Sequence, residues 1–483
     1  MTLDLLIIGG GINGCAIARE AALNGLSVLL VEKDDLAAHT SSASTKLIHG
    51  GLRYLEYYEF ALVREALQER ERLLKAAPHI IHPLRFVLPH ENAVRPWWLV
   101  RLGLLLYDWI GGRISLPRSR GLRTGDTAYR APLRNPGKGF VYSDCAVDDS
   151  RLTLFNAMDA AGQGAEIATR TELLSARRED GMWNARLSDG RSVTARAIAN
   201  SAGPWVAEAL GRLGVNGTSG VRLIKGSHIV VPALYAGEHA YMLQQPDGRI
   251  VFAIPWQGAF TMIGTTDIAV DRPEDAIISQ DEIAYLTDCA NRHFIAQIAA
   301  ADIVSSWSGV RPLYDDGAPE SKAVTRDYVL EIDTAGAPLL SVFGGKITTA
   351  RHLAEEALGK LGPALGVEIR PATRARVFPG GAIADIRRFV PEANARWPFL
   401  GEDRATRMAH AYGMLLHEML GEVSDEAGMG RAFGAGFTEI EARWMRSREW
   451  ATTAEDCLVR RSKLGLHMSA DEQADFAAWW EGR

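Results

Sequence analysis

The chain has 483 residues, 47% of them hydrophobic and 23% charged, an ordinary balance for a soluble globular protein with more than one domain and a sizeable core. A net charge of −6 gives no electrostatic case for nucleic acid as a partner, and no stretch reaches the roughly 18 uninterrupted apolar residues of a bilayer-spanning helix. The N-terminus has no basic leader region or cleavage site, so a cytoplasmic protein is expected.

Leu5-Leu-Ile-Ile8 reads as a buried parallel strand and opens directly into Gly9-Gly-Gly-Ile-Asn-Gly14. Gly9, Gly11 and Gly14 have the G-x-G-x-x-G spacing. One glycine permits a tight turn, one lets backbone N–H groups approach a pyrophosphate, and one allows close contact between helix and strand. Cys15, Ala16, Ala18 and Ala22 are small enough for the following helix to lie close on a sheet. A second apolar run, residues 27–31, delivers Glu32, whose carboxylate can accept hydrogen bonds from ribose hydroxyls and disfavours a 2′-phosphate. The unit predicts a dinucleotide-binding βαβ fold with Gly9, Gly11, Ile12, Asn13, Gly14 and Glu32 at the cofactor. It does not choose between NAD and FAD.

The next segment favours a flavin. Residues 39–54 are too polar and glycine-rich for a connecting strand and read as a loop wrapped around a cofactor. Thr40, Ser41, Ser42 and Ser44 offer small hydroxyls beside phosphates and an isoalloxazine ring, while Lys46, His49, Arg53 and Tyr54 bring charge and acid/base capability. Residues 58–77 then read as an amphipathic helix with Val63, Leu67 and Leu74 on one stripe, stopped at Pro78. Residues 95–113 combine three tryptophans with aliphatic side chains and flanking arginines. That composition suits a bilayer interface, but the sequence favours a buried helix packed on the substrate domain.

Residues 172–194 alternate around Asp189-Gly190 and suggest a β-meander, followed by an apolar-to-small run, 195–204, that brings Gly203 to the cofactor. Strand-like runs at 223–231, 249–254 and 260–265 suggest an antiparallel sheet roofing a substrate pocket. Runs at 303–314, 324–332 and 339–343 extend that sheet or return to the nucleotide domain. A second glycine turn, Phe343-Gly-Gly-Lys-Ile-Thr-Thr-Ala350, leads into a helix over 351–361, whose first N–H groups, with Thr348 and Thr349, can hold an anionic or carbonyl edge of the cofactor. Pro379-Gly-Gly381 marks a linker, beyond which helices are expected at 404–420, 439–450, 454–463 and 470–480. Cys15, Cys145, Cys289 and Cys457 form no C-x-x-C pair, which leaves free, inert thiols and no metal or iron–sulfur site.

The fold expected is α/β: a Rossmann-like FAD-binding domain (1–77, 139–221 and 338–378), interleaved with an antiparallel-sheet substrate domain (78–138 and 222–337), then a C-terminal helical domain (382–483).

The chain resembles the FAD-dependent glycerol-3-phosphate dehydrogenases of the aerobic, quinone-linked type. The resemblance starts at the 9–14 turn and at Ser41-Ser-Ala-Ser-Thr-Lys-Leu-Ile-His-Gly-Gly-Leu-Arg-Tyr54. It continues through Tyr142-Ser-Asp-Cys-Ala-Val-Asp-Asp-Ser-Arg-Leu152, Ile224-Lys-Gly-Ser-His-Ile-Val-Val231, Ile263-Gly-Thr-Thr-Asp267, Ser308-Gly-Val-Arg-Pro-Leu313, Thr325-Arg-Asp-Tyr328 and Leu340-Ser-Val-Phe-Gly-Gly-Lys346. It reaches Ala454-Glu-Asp-Cys-Leu-Val-Arg-Arg-Ser-Lys-Leu-Gly-Leu466 and so spans nearly the whole chain.

The resemblance implies oxidation of sn-glycerol 3-phosphate to dihydroxyacetone phosphate by hydride transfer from C2 to FAD, with electrons passed to quinone. It sets the 343–350 turn against the isoalloxazine, with Gly345, Lys346 and Thr348 at the cofactor and Lys346 stabilising negative charge on the reduced ring. It makes Arg311 and Arg326 phosphate ligands, a role that guanidinium forks suit, and Arg53 and Tyr54 further substrate contacts. Removal of the hydroxyl proton needs a base with a pKa near neutrality. His49 is the first choice because Gly50-Gly51 beside it leave room for substrate. His228 is the second, and can instead order the flavin. Peripheral contact with the cytoplasmic face of the inner membrane is implied, and a homodimer is open to it. Two rivals stand: an oxidase of the same fold that uses oxygen, and a flavin-binding sensor of a phosphorylated metabolite.

Overall fold

The computed structural model describes residues 2–91, 95–215, 220–315 and 327–482. Leu5, Leu6 and Ile7 are fully buried, so both faces of the strand Thr2–Ile8 are covered, which is why its sequence is continuously apolar. It lies inside an eight-stranded sheet, parallel to Val28–Val31 on one side and to Ser192–Asn200 on the other. Glu166–Ala168 pairs beyond Val28–Val31, and Leu339–Phe343 beyond Ser192–Asn200, with Val329–Asp333 antiparallel at the edge. The meander is present as Leu173–Glu179 and Met182–Leu187, which turns at Gly190 into Ser192–Asn200. On one face the helix Ile12–Leu23 packs with Asp149–Gly162 and Ala350–Leu365, its Cys15, Ala18 and Ala21 fully buried.

The second sheet has ten strands. Its main order is Ile268–Val270, Gly220–Pro232, Phe260–Gly264, Ile250–Trp256, Ala240–Gln244, Ile81–Pro89, Gly139–Val147 and Leu47–Ile48, with Ser305–Asp315 paired to Gly220–Pro232 and Arg120–Gly121 to Gly139–Val147. Gly139–Val147, read from the sequence as part of the nucleotide domain, lies in this sheet, whereas Val329–Asp333, read as substrate domain, lies in the first. Gly139–Val147 is buried along almost its whole length, so no alternation in its sequence reveals which sheet it joins. Of the later runs, Ser305–Asp315 extends the second sheet and Leu339–Phe343 returns to the first.

The helix Trp97–Ile110 corrects the expectation of a buried element. Leu104, Tyr107 and Asp108 face inward, but Trp98 is 65%, Leu102 56% and Trp109 57% exposed. Its two charged side chains, Arg101 and Asp108, both bond Ser119, so the polar positions in the sequence do not mark the outer face.

Beyond the 379–381 linker, Ile386–Arg396, Gly401–Tyr412, Glu439–Arg448 and Ala470–Glu481 pack around a separate core that includes Phe389, Tyr412, Trp444 and Phe476. The helix expected over 404–420 breaks at Gly413, where φ is 54°, into Gly401–Tyr412 and Leu416–Leu420. All four cysteines are buried and free.

Candidate active site

The first strand ends at Gly9 with φ at 107°, and a Cβ there would sit 2.6 Å from the carbonyl oxygen of Ser201. A Cβ on Gly14 would meet the Gly9 carbonyl oxygen at 1.9 Å, so the helix approaches the strand more closely than any side chain permits. Gly11 starts the helix without a side-chain cap, and the Ile12 N–H donates to Ser41 Oγ at 2.9 Å. Glu32 is fixed at the end of Val28–Val31: Oε2 accepts the Gly10 N–H at 2.6 Å and Oε1 the Asp34 N–H at 2.8 Å. Burial pushes its carboxyl up, and the two backbone donors oppose that shift.

Gly9, Gly11, Asn13, Glu32, Thr40, Gly203 and Gly345 line one cavity of about 160 Å³. Asn13 donates to the Gly344 carbonyl at 3.1 Å, which joins the two glycine turns, while its own Oδ1 is buried without a partner among the described residues. The glycine cradle and the orphaned Asn13 oxygen fit a dinucleotide cofactor.

The hydroxyl-rich loop divides its labour. Ser41 faces the helix start, and Thr40 Oγ1 donates to the Val310 carbonyl at 2.7 Å, tying the loop to the second sheet. Ser42 Oγ donates to the His39 carbonyl at 3.3 Å. Ser44 Oγ donates to Asp149 at 2.7 Å, and Lys46 Nζ to the same carboxylate at 3.0 Å and to the Ser42 carbonyl at 2.7 Å. The polar atoms of Ser44 and Lys46 therefore hold the loop in shape.

His49, Tyr54, Lys346 and Thr348 meet at the 343–350 glycine turn. The His49 N–H donates to Thr348 Oγ1 at 3.3 Å, and Lys346 Nζ lies 4.3 Å from the centre of the Tyr54 ring. That ammonium is shielded and has no hydrogen-bond partner among the described residues, a second orphan that a cofactor oxygen or nitrogen would satisfy. Thr349, at the helix start, makes no side-chain capping bond. Burial lowers the His49 pKa, Lys346 and Arg70 add to that, and Asp144 opposes it. The imidazole is neutral near pH 7 and able to accept a proton.

The sequence reading missed what holds this loop. The Gly50 N–H donates to Tyr107 Oη at 2.8 Å, Tyr107 donates to Asp144 at 2.9 Å, and Arg70 pairs with Asp144 at 2.7 Å. An arginine inside an amphipathic helix and an aspartate inside an apolar strand are the signals that point to such a buried pair.

His228 is 2% exposed, shares a 3.1 Å hydrogen bond with Thr45 Oγ1, and stacks on Trp307 at 5.4 Å. Burial, helped by Lys46 and Arg311, pushes its pKa down to about 3. Arg311 Nη2 donates to the Thr266 carbonyl at 3.0 Å, and Arg53 Nη2 to the Gly248 carbonyl at 3.1 Å. Arg326 lies outside the described residues.

The sequence profile of the family described as FAD-dependent oxidoreductase matches residues 4–351. A glycerol-3-phosphate dehydrogenase of Pseudomonas aeruginosa is 52% identical, with 97% of this chain and 93% of that protein covered. A D-erythritol 1-phosphate dehydrogenase of Brucella abortus is 49% identical, with 99% and 98% covered. Among solved structures, a glycerol-3-phosphate dehydrogenase of Bacillus halodurans complexed with FAD is similar at a TM-score of 0.76 and 26% identity, covering all of this chain and 94% of that one.

Proposed function

The chain belongs to the FAD-dependent oxidoreductases, in the branch of the glycerol-3-phosphate dehydrogenases, and we propose that it oxidises sn-glycerol 3-phosphate to dihydroxyacetone phosphate and passes the electrons to a membrane quinone. The observation that carries this reading is the meeting of His49, Tyr54 and Lys346 at the 343–350 turn, whose Gly344 and Gly345 line the nucleotide cleft. Bound FAD supplies the two-electron hydride acceptor that the oxidation needs. Glu32 would hold the adenosine ribose and the 9–14 turn the pyrophosphate. Asn13, Gly203, Gly345, Lys346 and Thr348 would hold the rest of the cofactor.

His49 accepts the C2 hydroxyl proton, since its lowered pKa keeps the imidazole unprotonated at neutral pH. Lys346 places a cation where negative charge accumulates. Arg53, Tyr54, Arg311 and Arg326 bind the substrate, with the arginines on its phosphate. His228 orders the loop through Thr45, and its strongly depressed pKa makes it the weaker base.

A four-carbon polyol phosphate is the second reading, because the D-erythritol 1-phosphate dehydrogenase is nearly as similar as the Pseudomonas enzyme. Comparing kcat/KM for the two phosphates separates them, and a higher value for D-erythritol 1-phosphate would replace the first reading.

The quinone reading is supported by the outer face of Trp97–Ile110. Trp97, Trp98, Leu102, Leu105, Leu106 and Trp109 are exposed on it, Arg118 covers Trp109 at 3.5 Å, and Tyr57, Tyr58 and Phe60 are exposed nearby in the sequence of the helix's neighbours. Tryptophan with flanking arginine suits the headgroup level of a bilayer, and no helix among the described residues is long and apolar enough to cross one. We assign this face to the cytoplasmic surface of the inner membrane. Trp98→Ser with Leu102→Ser should abolish flotation with anionic vesicles, whereas loss of a dimer without loss of flotation would assign the face to a second copy. Quinone reduction against peroxide yield in one assay tests the acceptor, and stoichiometric peroxide with no quinone reduction would make the protein an oxidase.

A further inference from the structure

The C-terminal helical unit reaches the loop of residues 35–46 through three cations that follow one another in the chain. Arg461 sends both Nη atoms to the carboxylate of Asp35, at 2.6 and 2.7 Å, and Arg460 Nε joins the same carboxylate at 2.7 Å. Asp35 is 1% exposed and lies three residues after the ribose acid Glu32. Lys463 pairs with Asp148 and donates to Ser150 Oγ at 2.9 Å, and Ser150 Oγ donates in turn to the Arg460 carbonyl at 2.6 Å. Asp148 is the N-cap of the helix Asp149–Gly162, and the adjacent Asp149 carries Ser44 and Lys46. One end of the loop is thus held directly, at Asp35. The other is held through neighbouring aspartates, one turned to the C-terminal unit and one to the loop.

The three cations come from a single π-helical turn, Asp456–Arg461, and the residues just after it. Between this turn and the loop runs a cleft of about 720 Å³, with Thr40, Ser42 and Lys46 on one wall and Arg460, Lys463 and Gln473 on the other. Arg460 and Arg461 share the buried Asp35, Arg460 also pairs with the buried Asp456, and Lys463 pairs with the partly buried Asp148, so the cluster is a fastening and offers no surplus charge to an anion.

We propose that the C-terminal helical unit is a clamp on the flavin loop, with Arg460, Arg461 and Lys463 as positioning residues that determine how firmly FAD is retained. The proposal rests on the family's cofactor and is independent of the substrate and of the electron acceptor.

The test is FAD release from diluted holoenzyme, read as the rise of free flavin fluorescence. Arg461→Met should raise the FAD Kd at least tenfold, and Arg461→Lys should recover part of the loss. Asp35→Asn combined with Arg461→Met should weaken binding no more than the worse single change, because both remove one contact. Arg170→Met is the control, since Arg170 pairs with Asp456 at 2.9 Å and joins the same two units without touching Asp35 or Asp148, and its loss leaves the Arg460–Asp456 pair in place. It should leave the FAD Kd within twofold. If Arg461→Met does not fold, Lys463→Met carries the same prediction through the other end of the loop. A parent-like Kd in Arg461→Met, or in Lys463→Met where that stands in for it, would overturn the clamp. So would equal weakening by Arg170→Met, which would reduce these pairs to general docking contacts.

Discussion

The phenolic oxygen of Tyr107 accepts the backbone N–H of Gly50 and donates its own O–H to Asp144, so one side chain fastens the loop next to His49 to a buried carboxylate. Tyr107 stands on the inner face of the helix whose outer face exposes Trp98 and Trp109. The surface assigned to the membrane and the loop assigned to proton removal are therefore two sides of one helix.

Tyr107→Phe leaves the Gly50 N–H unpaired in a buried site, a loss of about 1–3 kcal/mol. The variant should keep FAD, melt at a lower temperature, and show anaerobic flavin reduction slowed about tenfold, the rate equivalent of roughly 1.4 kcal/mol. Stopped-flow bleaching at the parent rate would remove Tyr107 from the positioning of His49.

His49→Gln should retain FAD and keep substrate affinity within about tenfold, yet reduce flavin about 10²–10⁴ times more slowly, as expected for loss of a general base. Glutamine preserves much of the polar volume but cannot accept the hydroxyl proton. If His228→Gln shows the selective loss instead, with FAD retained, the base is His228.

The βαβ unit was legible because a single sequence pattern carries the buried strand, the glycine turn, the small-residue helix face and Glu32. The meander around Asp189-Gly190 was legible for the same reason: alternation and turn chemistry are local. The strand Gly139–Val147 joined the unexpected sheet because it is buried on both faces, and Trp97–Ile110 was expected buried because composition cannot say what covers an apolar helix. At the site, sequence neighbours such as His49 and Tyr54 were accessible to reasoning. The Tyr107–Asp144–Arg70 group is assembled from three distant elements: a charge inside an apolar pattern signals that Arg70 and Asp144 need partners, but not which ones. Ser44 was read for its small hydroxyl and Lys46 for its charge, but their partner Asp149, about a hundred residues away, is not visible from the loop's own sequence.

Arg311→Ala should weaken binding of glycerol 3-phosphate far more than that of glycerol, by about 1.5–3 kcal/mol for each charge-assisted hydrogen bond removed. Arg326→Ala should behave alike. Steady-state KM for the two substrates checks this, and equal losses would show that the arginines act on the fold or on the chemistry.

Stability should fall in mild acid. His79 and His228 are buried, and burial holds both pKa values at about 3, against 6.5 for the ordinary side chain. Between these values the unfolded chain binds more protons than the folded one. Their contribution is complete above the unfolded value and is lost on going down through the window, at up to about 1.4 kcal/mol per pH unit for each. Glu282 and Asp456, held at about 2, lose their contribution only below the ordinary carboxylate range. Melting temperature should therefore be level from pH 8 to about 7 and decline from about 6 to 5. A flat profile across that range would show that these imidazoles are not held neutral.

The most direct measurement is anaerobic titration of the yellow holoenzyme with sn-glycerol 3-phosphate, following the flavin absorbance and the product together. The flavin should bleach with one dihydroxyacetone phosphate formed per flavin, and unphosphorylated glycerol at the same concentration should leave it oxidised. A flavin that stays oxidised in the presence of the substrate, while FAD remains bound, would contradict the proposed function.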